Sequence, residues 1–287
     1  MTDLNEIVEQ IDLLEPVPPI AAQIMALTQD PDSSMSQIAD LIRNDPALTA
    51  NLLRTCNSVF YGLSRHVDSV REAITLVGLD HIVRLVLLNS LSSNFKKEQI
   101  GGYGLGEGEL WRHAVTSAHV AGKLADRFGE SRNKHLIFTA ALVKDIGKLI
   151  LGRFVAFSFE QINILVQSHG NSFNDAEQKV IGMNHEELGA MVARKWNFSP
   201  KLIYIIRHHH LTDASARQDL QTSLVYLADI ICMLMGVCTG ADGLSYRFYG
   251  DVLNRLNISE KDLQGIIAQA GKNQPQVEML LNPIDYF

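Results

Sequence analysis

Helix start signals recur along the whole chain, and no stretch alternates apolar with polar residues between hairpin turns as a strand would. The pattern predicts an all-α fold. Ser34-Met35-Ser36-Gln37 has the capping-box form, and Ile38, Leu41 and Ile42 behind it lay an apolar stripe along one helix face. Asp45 caps and Pro46 starts the next helix, where the missing proline N–H would have been an orphan donor anyway. Ser69 through Glu72 repeats the box ahead of Ala73, Ile74 and Val77, and Gly78 offers a left-handed stop. Further helices are expected over 82–91, 110–128, 133–151, 157–169, 175–182, 186–196, 200–208 and 220–237, followed by a C-terminal pair.

The segment from Gly101 to Gly108 is dense in glycine, which makes a persistent helix or strand costly there. It reads as a joint at 101–108 between an N-terminal helical lobe, 1–100, and a second helical lobe, 109–287. No internal repeat is visible. A chain of 287 residues, 46% of them hydrophobic, can bury a large core. Its formal charge of -7, with Lys and Arg scattered singly, speaks against a nucleic-acid surface. Cys56, Cys232 and Cys238 sit in apolar stretches without the spacing of a disulfide frame or zinc ribbon, which fits a reducing cytoplasm. The N-terminus is acidic where a signal peptide would be basic, and no apolar run is expected to reach the roughly 20 residues of a membrane helix.

Polar residues interrupt several apolar helices of the second lobe, and each needs a partner. Asp145, within Ala140 to Ile150, and Asp229, within Leu224 to Cys232, are carboxylates that are costly to bury unless paired, hydrogen-bonded or metal-bound. His113, His185 and the run His208-His209-His210 complete the candidates. Carboxylate with imidazole suits Zn, Mn, Fe or Ni. Taken singly, each has a plainer reading: a buried salt-bridge partner for an aspartate, a helix-end feature for the triple histidine, a cap for His185, a satisfied core histidine for His113. The ordered set carries more weight than any member.

That ordered set resembles the HDOD family, a branch of the HD superfamily of metal-dependent phosphohydrolases. In the first lobe the likeness runs through Leu41 to Thr49, with its Asp45-Pro46-Ala47-Leu48, then Leu52 to Ser58, then Val70 to Gly78. In the second it runs through Trp111 with His113, Asp145-Ile146-Gly147-Lys148, His185 with Gly189, Trp196, and Ala228-Asp229. Counted without gaps from Trp196, the family's paired histidines fall on His209 and His210, leaving His208 at a variable position. The resemblance implies an HD-like helical bundle in the second lobe. It also implies two metal positions, one using His113, Asp145 and Asp229, the other Asp145, His185, His209 and His210.

The residue before Asp145 departs from the pattern. HD enzymes carry a histidine there, and this chain carries Lys144. An ammonium with an ordinary pKa of about 10.4 has no lone pair to give at neutral pH and repels a divalent cation. Either Lys144 snorkels to solvent, or it bridges Asp145, Asp229 or both where a metal would stand. The second reading leaves the first metal position degraded and allows at most one divalent transition metal, Zn, Mn, Fe or Ni, at the other. A two-metal bridging water would then be lost. No Gly-Tyr-Pro follows the histidines, against the branch that cleaves cyclic-di-GMP. The expected function is a bacterial signal-transduction regulatory module, non-catalytic, binding a signalling protein or small ligand. The alternative is a metal-dependent phosphohydrolase acting on a nucleotide or cyclic dinucleotide.

Overall fold

A computed structural model describes residues 4–14, 17–30, 32–58, 63, 65–96, 99–272 and 274–281. The first helices are α1 (Leu4–Glu9), α2 (Pro19–Gln29), α3 (Met35–Arg43), α4 (Pro46–Cys56), α5 (Val70–Val77) and α6 (Leu79–Lys96), and short-range capping chemistry starts α3, α4 and α5. The Ser34 hydroxyl accepts from Gln37 N while the Gln37 side chain accepts from Ser34 N at 2.6 Å, closing the capping box. Asp45 accepts from Leu48 N at 2.9 Å ahead of Pro46, and Ser69 accepts from Glu72 N at 3.2 Å. Gly78 ends α5 with φ 92°, a backbone region that residues with a Cβ rarely enter.

The remaining helices are α7 (Glu109–Arg127), α8 (Lys134–Val143), α9 (Gly147–His169), α10 (Phe173–Ile181), α11 (His185–Lys195) and α12 (Pro200–Arg207). They are followed by α13 (Leu220–Leu234), α14 (Gly250–Arg255), α15 (Glu260–Lys272) and α16 (Gln274–Leu281). The fold is all-α. Among the described residues the only extended pairing is an isolated bridge between Ile100 and Leu105. Buried apolar side chains form one cluster from Ile7 to Leu281, so the core is continuous across the glycine segment. Helix α7 lies at its centre, against α6, α8, α13 and α16.

Three expectations change. The helix expected over 133–151 breaks at residues 144–146, where tighter bonds from Ile146 N to Val143 O and from Lys148 N to Asp145 O replace the helical ladder. Beyond the break, α9 runs without interruption through residues 151–157, where two separate helices had been expected. The glycine segment is ordered and packed. Gly101–Tyr103 form a 3-10 turn, and a Cβ on Gly102 would fall 2.2 Å from Gly152 O, so only glycine fits against α9 there.

The third change concerns apolar length. Residues 131–169 are long and apolar enough by composition to cross a membrane, and α5 and α6 would pass the same test only as one span bent by 118°. The 131–169 stretch nevertheless loses its helical hydrogen-bond ladder at 144–146 and places the ion-paired Lys144, Asp145 and Lys148 inside the helical core. Its apolar length is that of core helices packed on α7, α11 and α13.

Candidate functional site

The break between α8 and α9 turns Lys144 and Asp145 inward while the first turn of α9 adds Lys148. Gly147 makes this approach sterically feasible: a Cβ there would fall 2.1 Å from His185 O and 2.8 Å from Gly189 N, at the start of α11. The turn and the helix therefore touch backbone to backbone. Helix α7 contributes His113, α13 contributes Asp229, and the turn after α12 contributes His209 and His210. These six predicted residues, His113, Asp145, His185, His209, His210 and Asp229, meet in one buried cluster around Asp145.

On the side of α7 and α13, Lys144 stands between the two aspartates. Its ammonium contacts Asp145 Oδ2 and lies 2.6 Å from Asp229 Oδ1. Lys144 is 1% exposed, so it does not snorkel. Burial alone would lower its pKa, but Asp145 and Asp229 outweigh that and hold it above the ordinary lysine value. Asp229 is pushed up by burial and more strongly down by Lys144 and His113, and it stays ionised. His113 Nε2 lies 2.8 Å from Asp229 Oδ1, and its Nδ1 donates to Val237 O at 2.9 Å.

The other side of Asp145 is built from imidazoles. His185 opens α11 behind the cap Asn184, and its Nδ1 donates to Glu177 Oε2 at 2.7 Å. Glu177 also accepts from His185 N at 3.0 Å and from the Tyr103 hydroxyl at 2.6 Å. Burial lowers the pKa of His185, but Glu177 more than offsets it and the value rises. His185 Nε2 lies 2.9 Å from His210 Nε2, and burial holds His210 well below the ordinary histidine value. His209 donates from Nδ1 to Ile206 O at 2.8 Å, which aims the lone pair of Nε2 at Asp145 Oδ1, 3.7 Å away. That separation is too long for a hydrogen bond, and both atoms are buried without one among the described residues.

The donor chemistry of the two sides answers differently to a metal. One ligand atom from each of Asp145, His185, His209 and His210 lies within 4.8 Å of the others. Second contacts to Glu177 and Ile206 O fix the rings of His185 and His209, as outer partners of a metal-binding histidine do. This side fits one divalent transition metal. His113, Asp145 and Asp229 also converge, but the Lys144 ammonium already lies on both carboxylates, and that side does not fit a cation. His208 lies off the cluster against Tyr204, with ring centroids 4.7 Å apart.

The cluster includes residues that the sequence reading passed over. Lys148 Nζ lies 3.0 Å from Asp145 Oδ1, at an angle unsuited to a hydrogen bond, and 2.7 Å from Asp242 Oδ2. Tyr103 and Tyr246 flank that ammonium, with ring centroids 5.3 and 5.6 Å away. Tyr246 also stacks on His210 at 3.8 Å. Glu186 accepts from His210 N at 2.8 Å and from the Asn174 amide at 2.6 Å. Lys148 was visible as a second charge three residues after Asp145 in an apolar run. Glu177, Asp242 and Tyr103 carried no such signal.

Comparison with known proteins bears on this geometry. An HDOD domain protein of unknown function from Geobacter sulfurreducens has the same fold, with a TM-score of 0.70 at 24% identity over 99% of both chains. A candidate signal transduction protein from Marinobacter aquaeolei VT8 gives 0.74 at 21% identity, over 98% of this chain and 61% of that one. A candidate phosphohydrolase from Shewanella amazonensis SB2B gives 0.67 at 20% identity, over 96% and 97%. An uncharacterized protein of Treponema pallidum (strain Nichols) is 23% identical over 211 residues, and the match spans 39% of that relative's length and 71% of this chain. The HDOD domain matches residues 14–212, which include every residue of the histidine side of the cluster. The chain belongs to the HDOD domain family.

Proposed function

We propose that this chain is a bacterial signalling module in which an HD-type pocket has been converted from a two-metal centre into a salt-bridged core. The module does not catalyse hydrolysis, and its surface is read by a signalling protein or small ligand. The Lys144 ammonium 2.6 Å from Asp229 and in contact with Asp145 carries the reading. Two-metal hydrolysis needs a water activated between two ions, and a fixed ammonium neither binds nor acidifies such a water. The candidate signalling relative from Marinobacter is consistent in fold. The three free cysteines fit a reducing cytoplasm.

A second reading has one observation in its favour. Asp145 Oδ1 and His209 Nε2, both without hydrogen bonds among the described residues, offer with His185 and His210 a set that one divalent transition metal would satisfy. A single ion there would supply Lewis-acid chemistry to a nucleotide or cyclic dinucleotide phosphate. Lys148, close to the same Asp145 oxygen, opposes it. Metal analysis of the purified chain together with hydrolysis of bis(p-nitrophenyl) phosphate in added Mn²⁺, Ni²⁺ or Zn²⁺ separates the two. The regulatory reading expects at most one ion per chain and no turnover above buffer. Two ions per chain with turnover that depends on them would overturn it.

A further inference from the structure

We propose that the cavity between α7 and α15 binds a small amphipathic organic anion, its charged end on Lys123 and its apolar body on Leu124, Ile266 and Ala270. The cavity holds about 390 Å³ and shares no lining residue with the cluster around Asp145. That size lies within the roughly 300–1,000 Å³ of small-molecule sites. The inference concerns binding alone and stands apart from the regulatory reading.

His119 and Lys123 lie one turn apart on the same face of α7. His119 is 9% exposed, and its Nε2 is buried without a hydrogen-bond partner among the described residues. Lys123 makes no ion pair among the described residues, and Gln269 faces it from α15 without a hydrogen bond. The other two charges at the rim are engaged, Asp126 with Lys134 and Arg127 with Asp262. The free polar groups at the opening are thus a cation and a neutral amide, a set that selects against cations and for an anion.

Burial, then Lys123, Arg84, His81 and Lys134, lower the pKa of His119 to about 4, so this imidazole is neutral at pH 7. Leu124, Ile266 and Ala270 add apolar surface that an inorganic anion would leave unused. The α7 wall lies inside the family match and the α15 wall lies beyond residue 212, outside it.

Isothermal titration of the full chain with octanoate, 1-octanol and octylammonium at pH 7.5 tests the proposal. Octanoate should bind and octylammonium should not, with 1-octanol at least 10-fold weaker than octanoate. Lys123→Gln, at an exposed position, should weaken octanoate at least 10-fold without touching the core. Ala270→Trp should fill the cavity and abolish octanoate binding. Equal affinity for octanoate and 1-octanol, no heat at millimolar octanoate, or octanoate binding unchanged in Lys123→Gln would each overturn it. Association with phosphatidylglycerol vesicles but not with free octanoate would assign the surface to a membrane and overturn it as well.

Discussion

On the α7 and α13 side of Asp145, a lysine ammonium lies 2.6 Å from Asp229 and touches Asp145 itself. On the α11 and α12 side, the same carboxylate faces His185 and His209 at 3.9 and 3.7 Å. The first side has replaced a removable ion with a covalently attached one. The second has kept donors whose lone pairs converge and two buried atoms without hydrogen bonds. Around Lys144 and Lys148 two ammonium groups face three carboxylates, Asp145, Asp229 and Asp242. The contrast teaches that the two halves of a pocket sharing one carboxylate need not be alike. Lys144 can hold the carboxylates of one half together and leave the other half available.

The strongest way to break the comparison is to remove the fixed cation. Lys144→Met leaves two buried carboxylates without their shared partner, and the chain should lose about 3–5 kcal/mol of unfolding free energy in urea titration, as broken buried ion pairs do. Removing both charges by Lys144→Met with Asp229→Asn should recover part of that loss. Lys144→His should lower stability less and raise metal content above that of the natural chain in elemental analysis. A Lys144→Met protein as stable as the natural one would mean that the two sides do not differ as described.

The two sides are joined through the backbone contact at Gly147. Gly147→Ala places a Cβ 2.1 Å from His185 O, where neither backbone can yield cheaply. The start of α9 must then move away from α11, with a loss of about 2–3 kcal/mol, within the usual range for overpacking. Chemical denaturation measures the loss. His185 and Asp145 should also separate, so any metal held by the histidine side should weaken together with stability. A loss of stability with unchanged metal affinity would uncouple them.

A smaller effect is expected at the outer support of the histidine side. Tyr103→Phe removes the hydroxyl that donates to Glu177 Oε1 at 2.6 Å, leaving Glu177 with His185 alone. Hydrogen bonds to charged groups contribute about 1.5–3 kcal/mol, and the lower end applies because Glu177 keeps its other two bonds. The urea midpoint should fall accordingly, while Lys144 and its aspartates stay as they are. A change above that seen with Lys144→Met would place the weight of the cluster on the wrong side.

How much of this was legible in sequence follows the range of each interaction. Ser34, Asp45 and Ser69 announce their helices because a cap is satisfied within three residues. Asp145 and Asp229 stood out because a charge in an apolar run demands a partner, and Lys144 because it occupies a histidine position in a resembled motif. The break at 144–146 was hidden, since its residues are as helix-compatible as their neighbours and only the approach to His185 dictates the turn. Glu177 sits on a polar helix and reads as solvated, yet it is fully buried. Asp242 and Tyr103 come from irregular segments where no periodicity marks an inward side chain. Gly102 looked like punctuation, but it allows a contact with Gly152 O in a segment far away in sequence.

The smallest expected effect tests the register of the histidine run, on which the whole description of the second side depends. His208, His209 and His210 are chemically identical, and only their placement separates them. His209 and His210 are buried in the cluster, one aimed at Asp145 and the other at His185, whereas His208 is partly exposed and packs at a tilt against Tyr204. Its pKa lies below the ordinary value, chiefly through burial, and it makes no contact with the converging donors. His208→Gln should therefore change stability by no more than about 0.5 kcal/mol, as substitutions outside packed networks do. Metal content should not change at all. His209→Gln and His210→Gln each remove a converging lone pair and should abolish whatever metal the natural chain retains. Elemental analysis of the three variants, read beside their urea midpoints, decides the matter. Loss of metal in His208→Gln with retention in His209→Gln would shift the run by one residue and dissolve the second side as drawn.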